Sequence, residues 1–254
     1  MFIFRSYGAK RIKKRSRATN IPPLTGLPRS ASGREERELS RGRGQAEDVG
    51  AEVASGVAAG ADAETASPLA WRRESSEYVA DCRVFKVRRD VSADPRDGRA
   101  HDFYVIEAPD WINVVPLTAR GEVVLIEQYR HGTEEVSLEI PGGMVDPGET
   151  PREAAARELL EETGYAASEL VFLGKTRPNP AIQNNWIHTY LARGAECRQE
   201  PACDGTEQTI VRLVPLEQIP SLIAGGEITH SLVVVGFHWL SLVEPGIVEG
   251  GEGA

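Results

Sequence analysis

The second part of the chain alternates short apolar runs with turn residues, a pattern that predicts strands. The runs are rich in β-branched and aromatic residues and lie at Val79–Val87, Phe103–Glu107, Ile112–Leu117, Val123–Gln128, Ser137–Ile140, Leu170–Leu173, Trp186–Leu191 and Thr209–Val214. The polar stretch Asp90–Ala100 contains Pro95 and Gly98, so it is expected to form the loop of a hairpin. Strands that are neighbours in sequence are close to one another along the chain.

Three segments have a helical pattern, and the longest carries signals at both ends. Pro151 suits the first helical position, and Thr150 with Glu153 forms the capping box that begins a helix. Gly164 is placed to close it in the left-handed conformation, which predicts a helix from Pro151 to about Thr163. Shorter helices are predicted at Leu216–Ala224 and Ser231–Leu242. Strands outnumber helices, so we expect an α/β fold in which helices cover a mixed sheet.

Charge and aromatic content divide the chain near residue 70. Of 29 basic and 38 acidic side chains, residues 1–70 hold 12 and 8, which leaves 17 and 30 for residues 71–254. The net charges are therefore +4 and −13, and all four tryptophans lie in the second part. Because residues 1–70 bury little apolar surface, we expect them to be a disordered, basic, low-complexity extension. Residues 71–254 are expected to form the folded domain.

A basic run between Lys10 and Arg17 leaves the role of the extension open. The extension is either a dispensable tail or a contact to nucleic acid or another anionic surface. A transit peptide is a third interpretation, because no acidic residue precedes Glu35. The apolar core of a signal peptide is absent from the sequence.

Composition also excludes several classes of protein. No apolar run approaches the ~20 residues of a membrane-spanning helix, so no membrane partner is expected. The three cysteines and five histidines show no disulfide framework and no zinc-site or catalytic-triad spacing. A cytoplasmic location is therefore expected, and the acidic domain makes nucleic acid an unfavourable partner.

Candidate chemistry is concentrated on the helix that begins at Pro151. Glu158, Glu161 and Glu162 stand at i, i+3 and i+4, so their carboxylates share one face. Like charges at this spacing repel each other unless a cation lies between them, and carboxylate oxygens are the ligands that hard divalent cations prefer. An acidic, solvated helix face is the plain alternative. The preceding Pro141-Gly142-Gly143 loop lets the backbone approach a ligand closely, a combination typical of metal-assisted attack of water on a phosphoanhydride.

The stretch from Gly143 to Tyr165 resembles the Nudix box, G-x5-E-x7-R-E-U-x-E-E-x-G-U, in which U is a bulky apolar residue. All fixed positions of the box are filled, by Gly143, Glu149, Arg157, Glu158, Glu161, Glu162 and Gly164. Leu159 fits the first U position, and Tyr165 is a less usual residue at the last. The resemblance implies a Nudix hydrolase with an α/β/α sandwich and a mixed sheet. It also implies Mg²⁺- or Mn²⁺-dependent cleavage of a nucleoside diphosphate that is linked to another moiety.

Roles for the residues of the box follow from the same resemblance. The main metal ligands are expected to be Glu158, Glu161 and Glu162, the last of which is also expected to be catalytic. Glu149 would be an auxiliary ligand or the ion-pair partner of Arg157, which orients the glutamates in the catalytic centre. The Gly143 backbone would contact the metal or a phosphate.

Outside the box the chain resembles the ADP-ribose pyrophosphatase group. That group commonly carries a proline about fifteen residues past the box, where this chain has Pro180. The segments around Arg130 and Glu139 are similar to segments of that group as well. Arg130 would contact a phosphate or ribose unless it forms only a surface ion pair, and Glu139 would bind the terminal ribose or support the metal site. Trp111 would stack on adenine unless it is a core or dimer-interface residue.

The resemblance further implies an acidic residue on a late loop as the base that activates water. Glu207 is our choice over Asp204, and a solvated loop acid is the alternative. The run Pro178–Asn185 looks like a variant found in bacterial nucleotide-sugar hydrolases of this branch, so substrates besides ADP-ribose are expected.

The sequence therefore predicts hydrolysis of ADP-ribose or related nucleoside diphosphate sugars to a nucleoside monophosphate and a sugar phosphate. The alternatives are a Nudix-fold sensor that binds such a nucleotide without cleaving it, and a Nudix hydrolase that acts on dinucleotides or capped RNA. The group usually works as a homodimer in which N-terminal strands cross between copies. Residues 71–110, and Glu77–Glu107 in particular, would supply those strands.

Overall fold

The computed structural model describes residues 68–203 and 208–248. Twelve strands and four helices are formed within these ranges. The strands are β1 (Arg72–Asp81), β2 (Lys86–Ala93), β3 (Ala100–Glu107), β4 (Trp111–Leu117), β5 (Glu122–Arg130), β6 (Glu135–Glu139), β7 (Gly142–Met144), β8 (Tyr165–Ala166), β9 (Glu169–Thr176), β10 (Ile187–Arg193), β11 (Glu196–Cys197) and β12 (Thr209–Pro215). The helices are α1 (Pro151–Thr163), α2 (Ile219–Gly225), α3 (Ser231–Val243) and α4 (Pro245–Val248), with a 3-10 turn at Leu216–Gln218 before α2.

A seven-stranded sheet forms the centre of the domain, with the strand order β12-β5-β4-β10-β9. Two short strands extend it, because β6 pairs with β5 and β7 pairs with β4. Strands β4 and β10 are parallel, whereas the other pairs are antiparallel. The sheet is mixed, as predicted.

Helices cover both faces of this sheet because its buried strands are apolar on both sides. On one face Ile112 and Val114 of β4 pack against Leu159 of α1. On the other face Val115 packs with Phe237 of α3 and the rest of a larger cluster. The alternation of even and odd positions along β4 thus separates the two layers. This arrangement confirms the predicted α/β/α sandwich.

The ends of helix α1 have the geometry that the sequence predicts. The Thr150 hydroxyl accepts the Glu153 backbone N–H at 3.3 Å, and the Glu153 carboxylate accepts the Thr150 backbone N–H at 2.8 Å. Gly164 adopts φ 75°, and a Cβ there would lie 1.9 Å from the Gln199 carbonyl oxygen. Only glycine fits this end, so the helix begins and ends where predicted.

A separate three-stranded sheet, β1-β2-β3, precedes the central one, and here one predicted element is wrong. The chain reverses within the predicted strand Val79–Val87, where the Cys82 N–H donates to the Phe85 carbonyl at 2.9 Å. Arg83 takes a left-handed φ of 69° in this turn, and its N–H donates to the Asp81 carboxylate. No glycine, proline or asparagine marks the turn, and Asp81 is too weak a signal on its own to interrupt the apolar pattern.

The first part of the predicted Asp90–Ala100 loop belongs instead to strand β2, which continues to Ala93. Asp90 is polar but buried, because Arg88 donates to it at 2.9 and 3.0 Å and the Ser76 hydroxyl at 2.6 Å. An internal ion pair has therefore replaced the apolar residue that a strand pattern requires.

The remaining predicted elements agree with the structure to within a few residues. Strands β7, β8 and β11 were not predicted, because two or three residues are too few to form a pattern. Within the described ranges no helix is long and apolar enough to cross a membrane. Residues 1–67 lie outside the described residues, so the predicted extension stays a prediction.

Candidate active site

The guanidinium of Arg157 lies at the centre of the acidic cluster. Its Nε and Nη2 donate to the two Glu149 carboxylate oxygens at 2.8 and 2.9 Å. Its Nη1 donates to Glu158 at 2.7 Å and to Glu161 at 3.0 Å. Nη2 also donates to the Met144 carbonyl of β7 at 3.0 Å. One cation therefore ties the carboxylates of α1 and of the preceding loop to the edge strand of the sheet.

Local geometry explains why these side chains meet. Arg157 and Glu161 are four residues apart on α1, so they share one face. Glu149 lies next to the helix start, where the Asp146 N–H donates to its carboxylate at 3.2 Å. Burial alone would lower the Arg157 pKa, but the hydrogen bonds and charges of Glu149 and Glu158 raise that pKa above its ordinary value. Arg157 therefore remains charged throughout the range in which the protein is folded.

Glu162 is positioned by the backbone of the glycine loop. It is buried, and its carboxylate accepts the Gly142 backbone N–H at 2.8 Å. Its backbone carbonyl accepts the Thr209 hydroxyl at 2.7 Å, which fixes the same turn of α1 against β12. The cluster thus has two parts, one ordered by Arg157 and one ordered by β7.

Close contact between α1 and β7 requires glycine at position 143. A Cβ there would lie 2.1 Å from a Glu158 carboxylate oxygen and 2.3 Å from its carboxyl carbon. The Gly143 backbone therefore lies directly against the Glu158 carboxylate. The structure brings together every residue of the box that was predicted to hold a metal.

Whether these residues fit a divalent cation depends on their charge and donor chemistry. Glu149, Glu158, Glu161 and Glu162 supply four negative charges, and Arg157 offsets one of them. Hard oxygen donors with such an excess suit Mg²⁺ or Mn²⁺. In the described parts of the chain, no three carboxylate, thiol or imidazole groups are already gathered around one point as a metal cage. Arg157 lies between these carboxylates, where the sequence predicted a divalent cation.

Arg130 and Glu139, both predicted to bind substrate, form an ion pair with each other. The Arg130 Nε and Nη2 donate to the two Glu139 oxygens at 2.7 and 2.6 Å. The side chains are only 8% and 3% exposed, so the pair is not the surface ion pair that was weighed as the alternative. Burial raises the Glu139 pKa, but the Arg130 hydrogen bond and charge outweigh it and lower that pKa below its ordinary value. The predicted contacts of both residues with substrate stay predictions.

Trp111 and Pro180, also predicted to bind substrate, lie on different elements of the fold. Trp111 is the first residue of β4 and lies opposite Met144 of β7. Pro180 is exposed in the loop between β9 and β10. This loop contacts β3, where the Ile106 N–H donates to the Ile182 carbonyl at 2.7 Å. The loop of the marker proline is therefore fixed to the N-terminal sheet.

Asp110 connects this region to the box, and no sequence pattern indicated its role. Its carbonyl accepts the Val145 N–H at 2.9 Å, just after β7. Its carboxylate accepts the Trp186 N–H at 2.9 Å and lies 3.0 Å from His188 Nε2. A single aspartate before a strand has no distinguishing spacing, so only the structure reveals the connection. Glu207 and Asp204, the two candidates for the base, lie outside the described residues.

Comparison with known proteins gives consistent results over the same region. The model of the NUDIX domain matches residues 109–233. A methanol dehydrogenase activator of Bacillus methanolicus is 31% identical over 171 residues, covering 66% of this chain and 91% of that protein. An ADP-ribose pyrophosphatase of Bacillus subtilis strain 168 is 29% identical over 149 residues, covering 58% of this chain and 80% of that protein. A crystal structure of an ADP compounds hydrolase matches with a TM-score of 0.64 and 25% identity, covering 73% of this chain and 99% of the other.

Proposed function

The chain belongs to the Nudix hydrolases, in the branch of the ADP-ribose pyrophosphatases, and we propose that it cleaves nucleoside diphosphate sugars. Hydrolysis of the pyrophosphate of ADP-ribose or a related compound would release a nucleoside monophosphate and a sugar phosphate. The observation that carries the proposal is the acidic cluster ordered by Arg157 and Gly142 at the edge of the sheet.

A divalent cation, Mg²⁺ or Mn²⁺, is part of the proposal. The residues that would hold it are Glu158, Glu161 and Glu162, with Glu149 and the Gly143 backbone as auxiliary ligands. When bound, such a cation neutralises charge on the pyrophosphate and lowers the pKa of water. Support comes from the donor chemistry of the cluster and from its excess of negative charge.

The chain's own residues position the reacting groups. Arg157 restrains the Glu149, Glu158 and Glu161 side chains, so little reorganisation is left for the moment of reaction. The Gly142 N–H restrains Glu162 independently. Glu207 is proposed as the base that accepts a proton from the attacking water, on the basis of its place in the sequence before β12.

The choice of substrate rests on the relatives and on residues outside the box. An ADP-ribose pyrophosphatase and an ADP compounds hydrolase are among the similar proteins. We propose that Arg130, Glu139, Trp111 and Pro180 contribute to the substrate site. For Arg130 and Glu139 the buried ion pair supports a positioning role, because each already uses its charged group on the other.

A homodimer and a cytoplasmic location are further parts of the proposal. Strand β1 is exposed along its whole length, and Tyr78 and Val79 of this strand are 59% and 49% exposed. Trp71 adds to the apolar surface next to Phe103, with ring centroids 5.2 Å apart. An edge strand that exposes apolar side chains in this way suits a contact with a second copy.

Incubation with Mg²⁺ and a panel of ADP-ribose, GDP-mannose, dinucleotides and capped RNA tests the function. We expect release of AMP from ADP-ribose, and we expect Glu162→Gln to reduce this release by at least about 100-fold because the carboxylate charge is lost. Glu153→Gln on the same helix is the matched control, since glutamine preserves the capping box. Retained binding of ADP-ribose with no turnover of any compound would contradict hydrolysis and favour a sensor.

A further inference from the structure

Trp186, just before β10, is in contact with two cationic side chains. The Lys175 ammonium is 4.6 Å from the centroid of the indole ring, and the Arg177 guanidinium carbon is 3.7 Å from it. Both distances are within the range of a cation–π contact. The Arg177 Nη1 also donates to the Asn184 carbonyl, so this hydrogen bond restrains the guanidinium in addition to its contact with the ring. We refer to Lys175, Trp186 and Arg177 as the cation stack.

The charges of the cation stack are not balanced by neighbouring acids. Most described arginines form ion pairs, as Arg88, Arg130 and Arg157 do. In the described part of the chain, by contrast, neither Lys175 nor Arg177 has a carboxylate oxygen within 4.0 Å. Two ordered, exposed cations in a domain with a large acidic excess therefore stay available to an external anion.

The donors of the cation stack indicate what it can bind. The ammonium still has its donors, and the guanidinium has N–H groups besides the one that binds Asn184. The chemistry of the cation stack thus favours an anion such as a phosphate group.

Backbone contacts connect the cation stack to β7, the strand that contacts the acidic cluster. The Trp111 N–H donates to the Trp186 carbonyl at 2.8 Å, and Trp111 lies opposite Met144 on the other side of β4. The Met144 carbonyl in turn accepts a hydrogen bond from Arg157. The backbones of Trp186 and Met144 are therefore separated by two strand spacings, roughly 10 Å. Asp110 fixes this separation through its bonds to Trp186 and Val145.

We propose that the cation stack is an anion subsite for a phosphate group that the substrate carries in addition to its scissile pyrophosphate. This inference rests on the proposed hydrolysis of nucleoside diphosphate sugars. A ribose that bears a further phosphate monoester would reach from the acidic cluster to Lys175 and Arg177. The subsite would then select phosphorylated substrates by charge, while the cluster performs the same cleavage on all of them.

A matched pair of substrates tests the subsite, namely ADP-ribose and its 2′-phosphorylated form, each with Mg²⁺. We expect kcat/KM to be about tenfold higher for the phosphorylated compound, the ratio that about 1.4 kcal/mol of extra binding produces. The difference is expected in KM, because the remote phosphate is bound equally before and during the reaction. In the double variant Lys175→Gln/Arg177→Gln the ratio is expected to fall to about one.

Two further variants separate charge recognition from a structural role. Lys175→Gln alone is expected to reduce the ratio partly, because Lys175 contributes charge while Arg177 still fixes the loop through Asn184. Arg83→Gln removes another described arginine that has no ion pair, in the distant turn between β1 and β2, and is expected to leave the ratio unchanged. An unchanged ratio in the double variant would overturn the subsite.

The outcomes for the two proposals are distinguishable. Hydrolysis of both compounds by the unmodified protein with equal kcat/KM would overturn the subsite and leave the proposed function intact. Absence of hydrolysis would overturn the proposed function, and calorimetric titration would then compare binding of the same two compounds. About tenfold tighter binding of the phosphorylated form, lost in the double variant, would support the subsite, whereas equal affinity would overturn it.

Discussion

Gly143 is the residue whose lack of a side chain matters most directly to the geometry of the site. In Gly143→Ala the new Cβ would lie 2.1 Å from a Glu158 oxygen, so that carboxylate must move away from Arg157. We expect kcat to fall about 100-fold, the effect of displacing a positioned group by about 1 Å. The free energy of unfolding should change little, because the displaced atoms end a flexible side chain. Steady-state kinetics and urea unfolding measure the two effects.

Gly246→Ala is the control, because no heavy atom lies within 4 Å of its added Cβ. Gly142→Ala provides a contrast, since its Cβ would lie 2.6 Å from the Ile112 carbonyl oxygen and the backbone cannot move aside so easily. Full activity of Gly143→Ala would show that the Glu158 position seen here is not the one used in catalysis.

At the residue scale the sequence revealed the box but not the links between its residues. Glu158, Glu161 and Glu162 could be placed on one face because helical spacing is a local property. Helical spacing predicts that Arg157 lies next to these glutamates. It does not predict that Arg157 also donates to the Met144 carbonyl of β7, a hydrogen bond that helps to hold the guanidinium among the carboxylates. Asp110 was missed for the same reason, since its partners Val145 and Trp186 are distant in sequence.

At the scale of elements, sheet β1-β2-β3 carries a prediction about assembly. If β1 forms the contact between two copies, Val79→Asp places a charge in an apolar interface, which is costly without a partner. Light scattering is then expected to give a mass near 27.7 kDa for the variant and about twice that mass for the unmodified chain. The matched control is Val136→Asp on β6 of the central sheet, where the valine is 65% exposed. Equal masses for Val79→Asp and the unmodified chain would contradict this interface.

Elements with strong local signals were predictable, and those with weak local signals or stabilised by distant contacts were not. Helix α1 was placed correctly because Thr150, Glu153 and Gly164 determine its ends locally. The turn at Arg83 has only the Asp81 side chain as a local signal, and the continuation of β2 through Asp90 depends on an ion pair with Arg88 and a hydrogen bond from Ser76 of β1. A hydrophobic pattern records burial but not the partner that makes burial of a charge acceptable.

At the scale of the whole molecule, the position of the cation stack follows from strand order. The parallel pairing of β4 with β10 brings Trp186 next to Trp111, although 75 residues separate them in sequence. Neither alternation nor composition contains this information, so the cation stack could not be located before the fold was known. Resemblance to a family predicts the fold, but it does not predict which cationic side chains lack an acidic neighbour.

The many internal ion pairs make the stability of the whole molecule sensitive to acid. Arg88, Arg96 and Arg130 lower the pKa values of Asp90, Asp94 and Glu139, and that of Asp94 falls to about 2. Burial lowers the pKa of His230 as well. Each of these groups binds its proton more readily in the unfolded chain, so acid favours unfolding.

The sign of these shifts determines the pH window of the final prediction. Stability from His230 is complete above about pH 6.5 and is lost as the pH falls below it, because the unfolded chain takes up the proton first. Stability from the carboxylates is complete above about pH 4.5 and is lost progressively as the pH falls towards 2. Urea unfolding followed by tryptophan fluorescence should therefore give a free energy of unfolding that declines from pH 7 and most steeply below pH 4.5.

In the double variant Arg130→Met/Glu139→Leu an apolar contact replaces one ion pair, so the steep part of this pH dependence should become shallower. A free energy that stays constant from pH 7 to pH 3 would show that the carboxylates are no more acidic in the folded protein than in the unfolded chain.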